Sequence, residues 1–415
     1  MSTSSLHFTI LPSLGLGDIK LGTSLNENIK LLEKINIRFI FNPSKLLNSN
    51  YIVQLKNCGI NLIFNSIDQL LILIEINIIK SSIKDNYNYN YNINNIRLIY
   101  NNNFINSMVL QNLYNNIFGP TNQGDFQNDD YYLSYPGLTL IFKNVSKLYQ
   151  INTNNMVEFI NRNDLICDRI LIHQFEKYSK YSIDSDINNQ IKRSYYNLNL
   201  LNSIEIDQLN NIKLSFYNIS KQNSFEINLK LQITLQEEIL NKIGPPDEIF
   251  IKNDNKLNIH NRYNSSSASN DNNNDNVINN DVNTGEIFHN YFNYGFDLLY
   301  DCNYKSGSKL SKLIIHNNLP TSIKFGKYNK PIKISINGVN NILNQSFDQI
   351  NTNFDIETSN PILINKSIEK FQSFQIIFNI DDDIDLNQKN LIYIENNSNR
   401  IWEILNNCIE SITLY

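Results

Sequence analysis

Gly59-Ile60-Asn61-Leu62-Ile63-Phe64-Asn65, Gly137-Leu138-Thr139-Leu140-Ile141-Phe142-Lys143 and Gly295-Phe296-Asp297-Leu298-Leu299-Tyr300-Asp301 share one pattern: glycine, apolar, polar, leucine, apolar, aromatic, polar. Successive side chains of a strand point to opposite faces, so the first, third and fifth residues after each glycine make one strongly apolar face. A looser copy without the glycine is read at Asn211 to Phe216. Two of the copies follow an amphipathic stretch, Val109 to Phe118 before Gly119-Pro120 and Leu235 to Ile243 before Gly244-Pro245. Glycine accepts the left-handed turn that closes a helix and proline cannot continue it, so both pairs read as helix stops. A second strand of form Leu-x-x-apolar-x-apolar follows at Leu71/Ile74/Ile76 and at Leu310/Leu313/Ile315, and the chain ends on the same form, Ile409/Ile412/Leu414. The expected fold is α+β, built of repeated helix, Gly-Pro and β-hairpin units with mainly antiparallel sheets. Such a repeat reports architecture; chemistry has to come from a site.

A chain of 415 residues that is 41% hydrophobic can bury a sizeable core. Alanine occurs once, at Ala268, while Asn, Ile, Tyr and Lys abound. That skew follows AT-rich codons, so many surface Asn residues stand in for other polar residues. The formal charge of −5 and the lack of a basic stripe argue against general nucleic-acid binding. Cys58, Cys167, Cys302 and Cys408 are widely spaced and read as reduced thiols, neither a zinc site nor a disulfide framework. The start, Met1 to His7, lacks the charged and apolar regions of a secretory signal. The most apolar run, Leu70 to Ile79, is interrupted by Glu75 and Asn77 and falls short of the ~20 residues a membrane span requires. A soluble intracellular chain is expected.

Two segments are of low complexity. Asn86 to Asn95 alternates Asn and Tyr, and 261–284 is almost entirely Asn, Ser and Asp. The second buries too little apolar area to offset its ordering entropy and is expected as a disordered insertion. The stretch 164–230 carries β-like runs at Ile170 to Ile172 and from Phe225 around a polar middle, and is expected as a strand-rich connector.

Catalytic constellations are not found. Asp381, Asp383 and Asp385 imitate a calcium loop, but Leu386 stands where glycine is needed and Ile392 where a bidentate glutamate is needed. Gly15-Leu16-Gly17 begins like a dinucleotide fingerprint with no third glycine, and reads as a turn. His7, His173, His260, His289 and His316 form no metal-ligand pair, and no serine or cysteine sits in a nucleophile elbow. No cofactor is expected. Lys324, Lys327, Lys330 and Lys333 recur every third residue among Phe325, Tyr328 and Pro331. One reading is contact with an anionic membrane, at about 1 kcal/mol per charge. The other is gatekeeping lysines on an exposed edge strand. A spacing of three cannot set all four on one strand face, which weighs toward the second.

In their order, Leu21-Gly22-Thr23-Ser24-Leu25, Cys58 to Glu75, Ile117-Phe118-Gly119-Pro120-Thr121, Tyr135-Pro136-Gly137-Leu138-Thr139, Ile243 to Phe250, Tyr291 to Asp301, His316-Asn317-Asn318-Leu319-Pro320 and Ser411-Ile412-Thr413-Leu414-Tyr415 resemble the phagophore assembly factor family. The resemblance spans nearly the whole chain. It implies one family domain, 6–415, of repeat units at about 6–80, 96–150, 231–320 and 340–415. It also implies a non-enzymatic adaptor of autophagy that works at the phagophore assembly site with a WD-repeat β-propeller protein. The propeller would read phosphoinositides, so this chain's membrane association would be indirect. A Golgi or vesicle-trafficking factor is the related alternative, and an enzyme with an unrecognised site is the rival of another class.

Overall fold

The computed structural model describes residues 6–42, 50–55, 58–78, 96–145, 159–161, 164–175, 199–218, 220–252, 285–304, 307–320, 322, 324–358, 361–364, 377–378, 390–396 and 398–415. The chain divides into two compact units, Met1–Tyr196 with Glu369–Asp385, and Asn197–Ile368 with Leu386–Tyr415.

In the first unit, β1 (Leu6–Leu11), β2 (Gly15–Leu16) and β3 (Ile19–Lys20) precede α1 (Leu25–Lys34), and β4 (Phe39–Asn42), β5 (Tyr51–Leu55), β6 (Ile60–Phe64) and β7 (Leu71–Asn77) follow it. The order then recurs. After β8 (Ile96–Tyr100) and β9 (Asn103–Phe104) comes α2 (Leu110–Asn112), which continues as a π-helical turn, Leu113–Ile117. Next are β10 (Asp125–Gln127), β11 (Asp130–Tyr135), β12 (Leu138–Phe142) and β13 (Arg169–Ile172). The four strands after each helix form an antiparallel meander, and the two meanders join through their last strands, β7 against β13. A late strand, β24 (Ile377–Phe378), adds parallel to β4 at one edge. The strands ahead of the helices make a small sheet, β3-β2-β1-β8-β9, with β1 parallel to β8.

The second unit has the same order. Its small sheet is built of β14 (Asn199–Ile206), β15 (Ile212–Asn218), β16 (Asn223–Leu229), β21 (Ile334–Ile336) and β22 (Val339–Asn340), with β14 parallel to β21. After α3 (Gln236–Ile243) come β17 (Glu248–Lys252), β18 (Glu286–Tyr291), β19 (Phe296–Asp301) and β20 (Lys309–His316). After α4 (Phe347–Asn351) come β23 (Ile362–Ile364), β25 (Asn390–Glu395), β26 (Arg400–Leu405) and β27 (Cys408–Leu414). The large sheet runs β17-β18-β19-β20-β27-β26-β25-β23, again joined through last strands.

Two local geometries recur in all four meanders. The N-cap residues of the helices, Ser24, Val109, Leu235 and Ser346, each form an isolated antiparallel bridge, to Leu70, Ile166, Lys309 and Cys408 respectively. Each bridge partner is the first residue of its meander's last strand or lies just ahead of it. The backbone N–H groups of Asn77, His173, His316 and Tyr415 donate to the carbonyls of Gly59, Gly137, Gly295 and Asn399 at 2.8, 3.1, 2.9 and 3.2 Å. These four acceptors hold the turn before the third strand, all with positive φ (68°, 76°, 79° and 51°). Asn tolerates that conformation better than most residues, which lets it replace glycine there.

The strongly β character and the mainly antiparallel pairing agree with the sequence reading, within an α+β fold. The expected apolar faces are fully buried: Ile60, Leu62 and Phe64; Leu138, Leu140 and Phe142; Phe296, Leu298 and Tyr300. So are Leu71, Ile74 and Ile76, then Leu310, Leu313 and Ile315, then Ile409, Ile412 and Leu414 on the last strands. Gly119 and Gly244 end their helices at φ +86° and +98°, each ahead of its proline. Their carbonyls accept hydrogen bonds from Tyr135 and Tyr291 hydroxyls, at 2.9 and 3.1 Å.

Several expectations are corrected. The looser copy at Asn211 to Phe216 is β15, in the small sheet, so it does not occupy the third-strand position. The fourth third strand is β26, where Asn399 replaces the glycine and Arg400-Ile401-Trp402-Glu403-Ile404 departs from the apolar, polar, leucine, apolar, aromatic order at every position. The stretch 164–230 is divided: β13 completes the first unit's large sheet, whereas β14, β15 and β16 build the second unit's small sheet. Gly15-Leu16-Gly17, read as a turn, is a short hairpin strand and turn against β1, in keeping with that reading. Asn86 to Asn95, 261–284, His260 and the Asp381/Asp383/Asp385 loop lie outside the described residues.

Candidate functional site

The connection from β20 to β21 carries both the His316-Asn317-Asn318 motif and the four lysines, and it closes over a buried polar cluster. His316 ends β20, and its neighbour across the pairing is β19, where Asp297 follows Phe296. The His316 Nε2 lies 2.8 Å from Asp297 Oδ2, and the Tyr328 hydroxyl donates to both carboxylate oxygens at 2.8 and 2.9 Å. Tyr328 also lies over the imidazole, ring centroids 4.0 Å apart. Burial holds the His316 pKa below the usual imidazole value, with the Asp297 hydrogen bond opposing it. The neutral ring therefore donates Nε2–H to Asp297. Burial and the nearby Asp297 charge push the Tyr328 phenol upward, which fixes it as a donor.

The following residues extend this cluster. Asn317 donates through Nδ2 to the carbonyls of Leu343 and Ile409 at 3.0 and 2.7 Å, and Asn318 Oδ1 accepts from the Gly326 N–H at 2.7 Å. Ser322 donates to Glu410 at 2.5 Å, Asn390 bridges Glu410 and Glu403, and Ser411 donates to Glu403 at 3.0 Å. Buried polar groups joined in this way fix one loop conformation, because each broken bond leaves a desolvated group unpaired. Nearby, Arg400 is fully buried and reaches Glu395, Asn210, the Asp207 carbonyl and Asn337. It ties the turns of the small sheet to the start of β26.

The first unit has a simpler counterpart. His173, which follows β13, sets Nε2 at 2.9 Å from Thr139 Oγ1, and its Nδ1 accepts the Phe175 N–H at 3.2 Å. Burial lowers its pKa to about 4. Thr139 and Asp297 are both the second residue after the hairpin glycine.

The four lysines are not on a strand; β21 begins after them, at Ile334. Lys324 and Lys333 are exposed, while Phe325 and Tyr328 between them are buried. Lys327 pairs with Glu248 at 3.1 Å and lies 4.5 Å from the Phe292 ring centroid, and Lys330 donates to Asn344 at 2.7 Å. The edge-strand reading of this segment therefore does not hold. The glycines named by the repeat fall into two sorts. A Cβ on Gly137 would come within 2.2 Å of the Ser13 nitrogen, and one on Gly295 within 2.2 Å of the Asn329 carbonyl oxygen, whereas one on Gly119 or Gly244 would meet nothing within 4 Å. Gly59, Gly137 and Gly295 open their third strands, and Pro120 and Pro245 follow the helix stops. Among the described residues, no group of three or more His, Cys, Asp or Glu is placed to hold a metal ion. No described helix is long and apolar enough to cross a membrane. Cys58 and Cys167 are buried, Cys302 and Cys408 half-buried, and all four are free thiols.

The geometry defines a strand-dominated α+β chain whose polar clusters hold loops against mainly antiparallel sheets. Residues 15–415 match the phagosome assembly factor 1 family, PHAF1, and the chain belongs to that family. A Drosophila melanogaster protein, PHAF1 protein CG7083, is 30% identical over 98 residues, covering 23% of this chain and 18% of the relative. No solved structure matches.

Proposed function

We propose that this chain is a non-enzymatic adaptor of autophagy, acting in the cytoplasm and recruited to the phagophore assembly site in complex with a WD-repeat β-propeller protein. The observation that carries the reading is the family match from residue 15 to residue 415. A chain of net charge −5 gains little from an anionic membrane surface, so recruitment would be borrowed from the partner. The engagement of Lys327 with Glu248 and of Lys330 with Asn344 is in keeping with that.

The test is imaging of the tagged protein in starved cells with and without the WD-repeat protein. Puncta at assembly sites that vanish when the partner is deleted are the expected result. Puncta that persist without it would sink borrowed recruitment. So would tight binding of the purified chain to phosphoinositide liposomes that charge reversal of Lys324, Lys327, Lys330 and Lys333 abolishes.

A further inference from the structure

An outermost strand presents a row of unpaired backbone donors and acceptors, and so accepts another strand unless something covers it. In the first unit first strands lie toward both edges of the large sheet, β4 and β10, and β4 is covered by β24. In the second unit the corresponding first strand of the third meander, β17, has no neighbour beyond it among the described residues. Its three central side chains are more than half exposed: Ile249 at 58%, Phe250 at 57% and Ile251 at 55%. Register sets Ile249 and Ile251 beside His289 and Ile287 on one face, and Phe250 beside Phe288 on the other. Both faces of this edge are therefore apolar, bounded by Glu248 at one end and Lys252 at the other.

We propose that β17 is a self-pairing edge, through which two copies of this chain join antiparallel about Phe250 so that their eight-stranded sheets become continuous. The sequence Glu248-Ile249-Phe250-Ile251-Lys252 is complementary to its own reverse. In that register Glu248 faces Lys252 of the second copy, Ile249 faces Ile251, and Phe250 faces Phe250. Opposite charges and apolar pairs directly across two strands are favourable, and like charges are not. Parallel in-register pairing would set Glu248 against Glu248 and Lys252 against Lys252. Antiparallel pairing shifted by two residues would set a charged residue against Phe250. The end charges thus select one arrangement, a two-fold, self-complementary interface. Each is held at the edge by an intrachain pair, Glu248 with Lys327 at 3.1 Å and Lys252 with Glu286 at 2.7 Å.

Sedimentation velocity of the purified full chain over a wide concentration range tests it. The wild type is expected to show a monomer–dimer equilibrium. Glu248→Lys alone and Lys252→Glu alone should shift it to monomer, and the double exchange should restore the dimer, each with an unchanged circular dichroism spectrum. Phe250→Cys should give a covalent dimer on mild oxidation, since the two positions face each other. A wild type that stays monomeric at every concentration overturns the proposal, as does a dimer indifferent to both single exchanges. A monomer whose β17 amides gain exchange protection only when another protein is added would also overturn it, and would assign the edge to that protein's strand.

Discussion

His173 in the first unit and His316 in the second occupy the same backbone slot and are satisfied in different ways. Each donates its N–H to the carbonyl of a hairpin glycine, and each aims Nε2 at the second residue beyond that glycine. In the first unit that residue is a threonine with one hydroxyl. In the second it is an aspartate that accepts from both the imidazole and Tyr328. The slot is thus set by the fold, while its chemistry is set by one side chain. A carboxylate there recruits a tyrosine from the β20–β21 connection and ties that loop down; a hydroxyl reaches only Ser134 Oγ on the neighbouring strand, at 3.2 Å, and holds no loop.

Leu140 and Leu298 are fully buried at matching third-strand positions, so here the two units should not differ. Replacing either with Ala is expected to cost ~2–5 kcal/mol in denaturant unfolding. An unchanged midpoint for one of them would break the equivalence of the two hairpins. Acid should act next. The His173 pKa is about 4 in the folded chain against 6.5 unfolded, so between those values the unfolded state holds more protons. Stability is then full above pH 6.5 and falls as pH drops toward 4, by up to about 3 kcal/mol for this group. The loss should shrink in His173→Gln when unfolding is followed from pH 7 to pH 4. His316 is shifted in the same direction and should add to the loss. The smallest expected effect sharpens the comparison most. Thr139→Ala removes one partner of a buried histidine and should cost ~1–3 kcal/mol, whereas Asp297→Asn keeps one acceptor oxygen for two donors and should loosen the 324–328 turn first. Amide hydrogen exchange at Gly326 reads this, because its N–H bonds to Asn318 Oδ1 and so ties the turn to the residues that follow β20. Unaltered exchange there would mean that Asp297 does not hold the loop.

The third strands opened by Gly59, Gly137 and Gly295 were legible because a left-handed turn followed by alternation leaves a local signature. The fourth, β26, was not. Asn399 meets the same backbone demand without being glycine, and Arg400 is buried only because distant turns at Asp207, Asn210 and Asn337 supply its partners. The small sheets were missed for a related reason: the pairings of β1 with β8 and β14 with β21 span long stretches of chain, and alternation says nothing about which strands meet. The polar cluster was hidden because Asp297, His316, Tyr328, Glu403 and Glu410 are individually ordinary. Only the spatial junction makes them a network. Val109 to Phe118 reads as helical from its residues, but the shift to π geometry at Leu113 leaves no mark in residue types.

The position of β24 bears on how the chain is made. It pairs Ile377 with Ile40 and Phe378 with Phe41, so the first unit's large sheet gains its outermost strand from near the end of the sequence. Most of the second unit, Asn197–Ile368, lies between those two pieces in the chain. During vectorial synthesis the N-terminal half reaches its meanders early, yet β4 stays an open edge until residue 378 has left the ribosome. Contacts of such separation form late and leave strand edges exposed meanwhile. A nascent or truncated chain ending before β24 would therefore present β4 to its neighbours, and the full-length chain would withdraw it.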